Sequence, residues 1–223
     1  MKVVIVGRTR MQQGLCIGGL SETYGPVRIQ PSTGYAHPED APYQVGDVWD
    51  LELTRLNNLQ PPHIEDMILS GPGRRLDRLA DVGDWLLRGA TLWTGPAANA
   101  FDGMLRITET GRAHVSADAV PDLSVGFWVP DRPLVRHQSD TRESYWYTDH
   151  SGATWRFSYA GVGPSLRIVP AGLIVRVSLA RWWTPPDSQA PPVCYAQVSG
   201  WFPVSTEEVE SASIPQRESL RTW

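Results

Sequence analysis

The sequence predicts a mainly-β protein built from two small barrel-like halves, and three observations carry that prediction. Apolar or alternating segments of strand length recur along the chain. Clusters of Gly, Pro, Asp and Ser separate most of them, and a single segment shows helical periodicity. Many short strands with one helix fit a barrel or sandwich and argue against a parallel α/β sheet.

Taken in order, residues 3–6 are an apolar run of buried-strand length, and residues 15–20 are interrupted by Gly18 and Gly19, as suits a bulge or a sharp barrel bend. Residues 26–30 form a further short strand. Trp49, Leu51 and Leu53 alternate with Asp50, Glu52 and Thr54, the period of a strand with one wet face, before Pro61-Pro62 ends the pattern. The helix is predicted near residues 74–88, where Leu76, Leu79, Ala80, Gly83 and Leu87 share a stripe, with Gly89 placed to end it. Residues 95–102 read as a looser connection. Beyond them, residues 125–129, 144–149, 154–159, 173–179 and 193–202 read as strands. The expected layout is a first barrel plus the helix over residues 1–100, a second barrel over 101–202 and a polar tail over 203–223 that ends in Trp223.

A chain of 223 residues with 41% hydrophobic and 20% charged residues can bury a substantial core. The apolar run at 3–6 is too short for a signal peptide or a membrane span, and no later stretch is long enough, so a soluble cytoplasmic protein is expected. Cys16 and Cys194 stand in unlike contexts and suggest no disulfide framework. The net charge of −4 hides an uneven distribution: residues 1–34 carry Lys2, Arg8, Arg10 and Arg28 against Glu22 alone, whereas the tail is acidic. Lys2 is the only lysine among 20 basic side chains, a bias that a GC-rich genome explains and that also suits phosphate contact by planar guanidiniums.

No motif for a catalytic centre, a phosphate loop or a metal site is present, and no cofactor is called for. His63, Glu65 and Asp66 are the nearest thing to a ligand set. Adjacent Glu65 and Asp66 would diverge on a strand, so capping of a helix start is the expected role. Trp155, Phe157 and Tyr159 alternate with Arg156; the rings read as the core face of a barrel strand, or else as a stacking stripe for bases beside a phosphate-binding arginine. On the strand before, Tyr145 and Tyr147 share one face and Trp146 takes the other. Trp182 and Trp183 are adjacent and cannot both point inward, so one of them should be exposed.

Several phrases together resemble the dual OB-containing family, a module of predicted prokaryotic conflict or phage-defence systems. They are RTRMQQGLCIGGL, GPVRIQPSTG and WDLELTRLNNLQPPHIEDMIL in the first half, with LIVRVSLARWW and VCYAQVSGWF near the end. The chain departs from the family pattern at Ala196 and Gln197, where a basic residue is expected, and in an insertion over residues 185–192. The resemblance implies two OB-like barrels, no catalytic residue, and nucleic-acid recognition or assembly inside a defence complex. The resulting expectation is a non-catalytic accessory subunit that binds single-stranded RNA or DNA through Arg8, Arg10, Arg28, Arg156, Trp182 and Trp183. The alternative is a scaffold that assembles a larger ATPase, nuclease or helicase subunit without touching nucleic acid. A third is a metal-dependent hydrolase using His63, Glu65 and Asp66.

Overall fold

A computed structural model describes residues 1–22, 25–34, 36–140, 142–184 and 190–205. The tail from residue 206, with Trp223, and most of the 185–192 insertion lie outside the described residues.

The first sheet is built from β1 (Lys2–Met11), β2 (Gly14–Ser21), β3 (Gly25–Gln30), β4 (Asp47–Asp50), β5 (Leu53–Arg55), β6 (Asp66–Leu69) and β7 (Arg74–Arg78). β1, β2 and β3 form an antiparallel meander, β6 runs parallel to β3, and β4 returns to pair with β1. The alternating segment around Trp49–Leu53 is one extended strand broken in the middle. Its first part, β4, pairs with β1 and its second part, β5, pairs with β6, so the sheet closes on itself as a five-strand Greek-key barrel.

After α1 (Val82–Gly89) the chain passes to a second sheet: β8 (Leu92–Gly95), a 3-10 segment (Ala97–Gly103), β9 (Arg106–Ile107), β10 (Ala113–Ser116), β11 (Val125–Pro130), β12 (Leu134–Gln138), β13 (Glu143–Thr148), β14 (Thr154–Tyr159), β15 (Ile168–Val169), β16 (Ile174–Leu179) and β17 (Val193–Phe202). The same closed path recurs. β12, β13 and β14 form the meander, β17 runs parallel to β14, and β16 pairs with β17. Here the broken strand is the first: β11 pairs with β16 while β12 begins the meander. The chain is thus mainly β with two OB-like barrels.

Three cores follow from strand alternation. Val3, Ile5, Leu15, Ile17, Val27, Ile29, Trp49 and Leu51 fill the first barrel. Trp128, Tyr145, Tyr147, Trp155, Phe157, Val175 and Val177 fill the second. Val4, Val6, Val48, Leu86, Phe127, Ile174 and Phe202 make a third between them. This explains the continuous apolar run at 3–6: Val3 and Ile5 point into the barrel, Val4 and Val6 into the joint, and both faces are covered.

Two local expectations are corrected. Residues 74–78 do not join the helix but extend the sheet as β7. There Arg75 and Arg78 reach the fully buried Asp47 carboxylate at 3.0 and 3.4 Å, a tertiary pairing that outweighs the helical stripe. The helix starts where Asp81 caps it, its side chain accepting from the Asp84 amide at 2.9 Å. Residues 95–102 are not a loose connection either, because Ala97, Ala100 and Phe101 are buried against the second barrel. That packing was hidden by the Gly, Pro and Ala content of the segment.

Candidate nucleic-acid interface

Two surfaces bring together side chains suited to an anionic, aromatic ligand. The first is a band across the outer face of the second barrel. With Tyr145 and Tyr147 committed to the core, alternation sends Trp146 outward, and likewise Arg156 between Trp155 and Phe157. Trp146 and Arg156 are direct cross-strand partners. The Arg156 guanidinium lies over the Trp146 ring at 4.1 Å, and the His137 ring stacks on the Trp146 ring at 3.7 Å between centroids, tilted by only 15°. The Trp146 indole N–H donates to Ser144 Oγ at 3.1 Å, which fixes the ring.

The band continues sideways. Arg112 bridges to Arg156 on the neighbouring segment, and its guanidinium covers the Tyr195 ring at 3.6 Å. Trp183, 44% exposed, packs beside Tyr195 with centroids 5.8 Å apart. Among the described residues neither Arg112 nor Arg156 forms an ion pair, so both charges are offered to solvent or to a ligand. The result is a run of six side chains in which two rings, two guanidiniums and two further rings follow one another.

The second surface is a cleft of about 980 Å³ where the barrels meet, lined by Arg10, Cys16, Arg28, Glu65, Ser124, Arg176, Arg181 and Gln197 among others. Parallel pairing of β3 with β6 sets Arg28 directly beside Asp66, and the Arg28 Nε donates to that carboxylate. The same guanidinium meets Glu65 at 3.2 Å and His63 Nδ1 at 3.1 Å. Arg181, from the second barrel, donates to the other Asp66 oxygen at 2.7 Å. Glu65 also accepts from Ser124 Oγ, so both carboxylates join the two barrels.

His63, Glu65 and Asp66 therefore converge after all, on a guanidinium, and Asp66 opens a strand; neither Glu65 nor Asp66 caps a helix. Among the described residues no group of three or more His, Cys, Asp or Glu is placed to hold a metal. Burial first, then the Arg28 and Arg181 guanidiniums, push His63 down to a pKa of about 3, so the ring is neutral. Arg28 can only donate, which leaves Nδ1 as the acceptor and puts the ring proton on Nε2, 3.9 Å from Cys194 Sγ.

The residues singled out from sequence divide between these surfaces. Arg156 and Trp183 stand in the outer band. Arg10 and Arg28 line the cleft; Arg10 donates to the Gly161 carbonyl at 2.8 Å. Trp182 packs against the second core and donates to the Pro61 carbonyl at 2.9 Å, tying the barrels together. Arg8 lies apart, bonded to Gln44 Oε1 at 2.8 Å and to the Glu39 carbonyl at 3.1 Å. Sequence reading missed Arg112, His137, Tyr195 and Arg176. Only Arg176 carried a local signal, a charge enclosed by Val175 and Val177 in a strand whose other residues, Ser178 apart, are apolar.

Fold and site together define a double β-barrel module with a cationic joint and an aromatic outer face. The pattern of the Dual OB-containing domain family matches residues 1–201, and the chain belongs to that family. No curated protein and no solved structure gives a significant match. Among the described residues no helix is long and apolar enough to cross a membrane.

Proposed function

We propose that the protein is a nucleic-acid-binding module that takes single-stranded RNA or DNA on the outer face of its second barrel. The observation that carries this reading is the layered His137–Trp146–Arg156 stack, continued by Arg112, Tyr195 and Trp183. Bases can stack on the exposed His137 and Trp183 rings at the two ends of the run, while Arg156 and Arg112 between them meet phosphates, so the band suits an unpaired strand better than a duplex. OB barrels commonly bind oligonucleotides on one face, which supports the same reading. No catalytic step is assigned to the chain.

The test is a titration of labelled single-stranded RNA, single-stranded DNA and duplex DNA, followed by anisotropy and tryptophan quenching at two salt concentrations. Trp146→Ala is expected to weaken single-strand binding by roughly 1–3 kcal/mol, and affinity should fall with salt. Undiminished binding by Trp146→Ala would sink the assignment of this face.

The family context further suggests service as an accessory subunit of a cytoplasmic prokaryotic defence complex. One observation favours a protein partner as well. Val135 and Ile168 are cross-strand neighbours at the β12–β15 edge and are exposed, as is nearby Leu166. An apolar edge of this kind suits docking of a larger subunit. Loss of co-purifying protein on Ile168→Glu, with nucleic-acid binding intact, would separate the two roles.

A further inference from the structure

The joint between the barrels holds a charge that the chain does not neutralise. Arg176 lies on β16, where Val175 and Val177 point into the second barrel and Arg176 points the other way, into the joint. Its guanidinium rests on the backbone of the first barrel at Gly7 and Gly18. A Cβ at Gly7 would fall 2.6 Å from its Cζ and one at Gly18 2.3 Å from its Nη2, so a side chain at either position would have to displace the guanidinium. The residue is 5% exposed, yet among the described residues it has no ion pair. One amino group donates to Ser199 Oγ at 2.6 Å, while Nε has no partner.

A buried guanidinium without a counter-charge is costly, and burial together with neighbouring Arg28 pulls its pKa down. The surroundings do not offset it. Arg10, Arg28, Arg176 and Arg181 stand against two carboxylates, Glu65 and Asp66, and Asp66 is already shared by Arg28 and Arg181. Burial keeps the Cys16 thiol neutral, and His63 is neutral too. Two positive charges therefore remain at a cleft that Arg176 lines.

We propose that this inter-barrel cleft is a phosphate-binding site, with Arg176 as its buried anchor and Arg181 and Arg10 as its rim. A phosphate dianion matches the excess charge, and a guanidinium fork matches its geometry. The site rests on the nucleic-acid reading only for the source of the phosphate: a strand end or backbone group on one hand, a free phosphate or pyrophosphate on the other. Cys16 supplies a local reporter on the unaltered protein at alkaline pH, where part of this thiol is ionised, because it lines the cleft and is only half-buried while Cys194 is fully buried.

The experiment measures the rate at which a small neutral thiol reagent labels Cys16 in the native full chain, at constant ionic strength. The additions are chloride, pyrophosphate, a 5′-phosphorylated oligonucleotide or its 5′-hydroxyl counterpart. At about ten times its Kd the ligand should slow labelling about tenfold. Protection by pyrophosphate, or by either oligonucleotide alone, supports the site and names the source. Arg176→Gln should abolish protection, and Arg181→Gln, at a rim position whose ion pair with Asp66 is lost at the same time, should weaken it. Trp146→Ala should leave pyrophosphate protection unchanged, so failure of the outer face and failure of the cleft are told apart. Unchanged labelling with every phosphate compound overturns the proposal, as does protection that survives in both arginine variants.

Discussion

His63 shows how one side chain links the joint to pH. Its ordinary pKa is 6.5, and burial with two nearby guanidiniums lowers it to about 3 in the folded chain. The unfolded chain therefore takes up a proton below pH 6.5 that the folded chain refuses. The stabilisation is complete above that pH and is lost as pH falls toward 3, at no more than about 1.4 kcal/mol per pH unit. His37, also lowered by burial, adds a slope of the same sign. His63→Asn keeps an acceptor for Arg28 but cannot titrate, so urea midpoints measured downward from pH 6.5 should fall less steeply than in the parent. An identical slope would mean that acid acts elsewhere. At this scale little of the site was legible, because the partners of Arg28 come from a segment, residues 63–66, more than 30 residues away.

At the scale of elements, α1 is more than a connector. The segment after β17 lies along it: Ser205 donates to both Asp84 oxygens, at 2.8 and 2.9 Å, and the Pro203 carbonyl sits where a Cβ on Gly83 would be. The helix thus clasps the exit of the second barrel, and Gly83 is required by that close approach rather than by any unusual backbone angle. Gly83→Ala places a methyl group 1.7 Å from a backbone oxygen. Despite the better helix propensity of alanine, it should destabilise the protein by about 1–3 kcal/mol in chemical denaturation. A gain in stability would show that residues 203–205 detach freely. Sequence periodicity put Gly83 correctly on the inner stripe, but the reason for a glycine there became visible only with the strand exit in place.

For the whole molecule, the third core packs the two barrels against each other, and they are expected to unfold as one unit. Phe127 and Phe202 meet edge to face with centroids 6.1 Å apart, among Val4, Val6 and Val48 of the first barrel and Ile174 of the second. Phe127→Ala should cost about 3–5 kcal/mol. Amide-exchange protection in β1 and β16 should then fall together, with a single unfolding transition retained. If β16 loses protection while β1 keeps it, the barrels are independent and the joint is not a rigid platform for a ligand.

Strand composition and alternation alone determined that the chain is β-rich and which side chains of its aromatic strands share a face; packing chose which face turns inward. A period of two is a local property, and burying one face of Thr154–Tyr159 leaves Arg156 outside. Tertiary structure alone decided where the barrels close and that residues 74–78 join a sheet. It also decided that His63, Glu65 and Asp66 serve a guanidinium, and that Arg176 of one barrel rests on two glycines of the other. Closure, edge pairing and charge matching depend on residues that are distant in the chain and are brought together only by packing, so no local pattern encodes them.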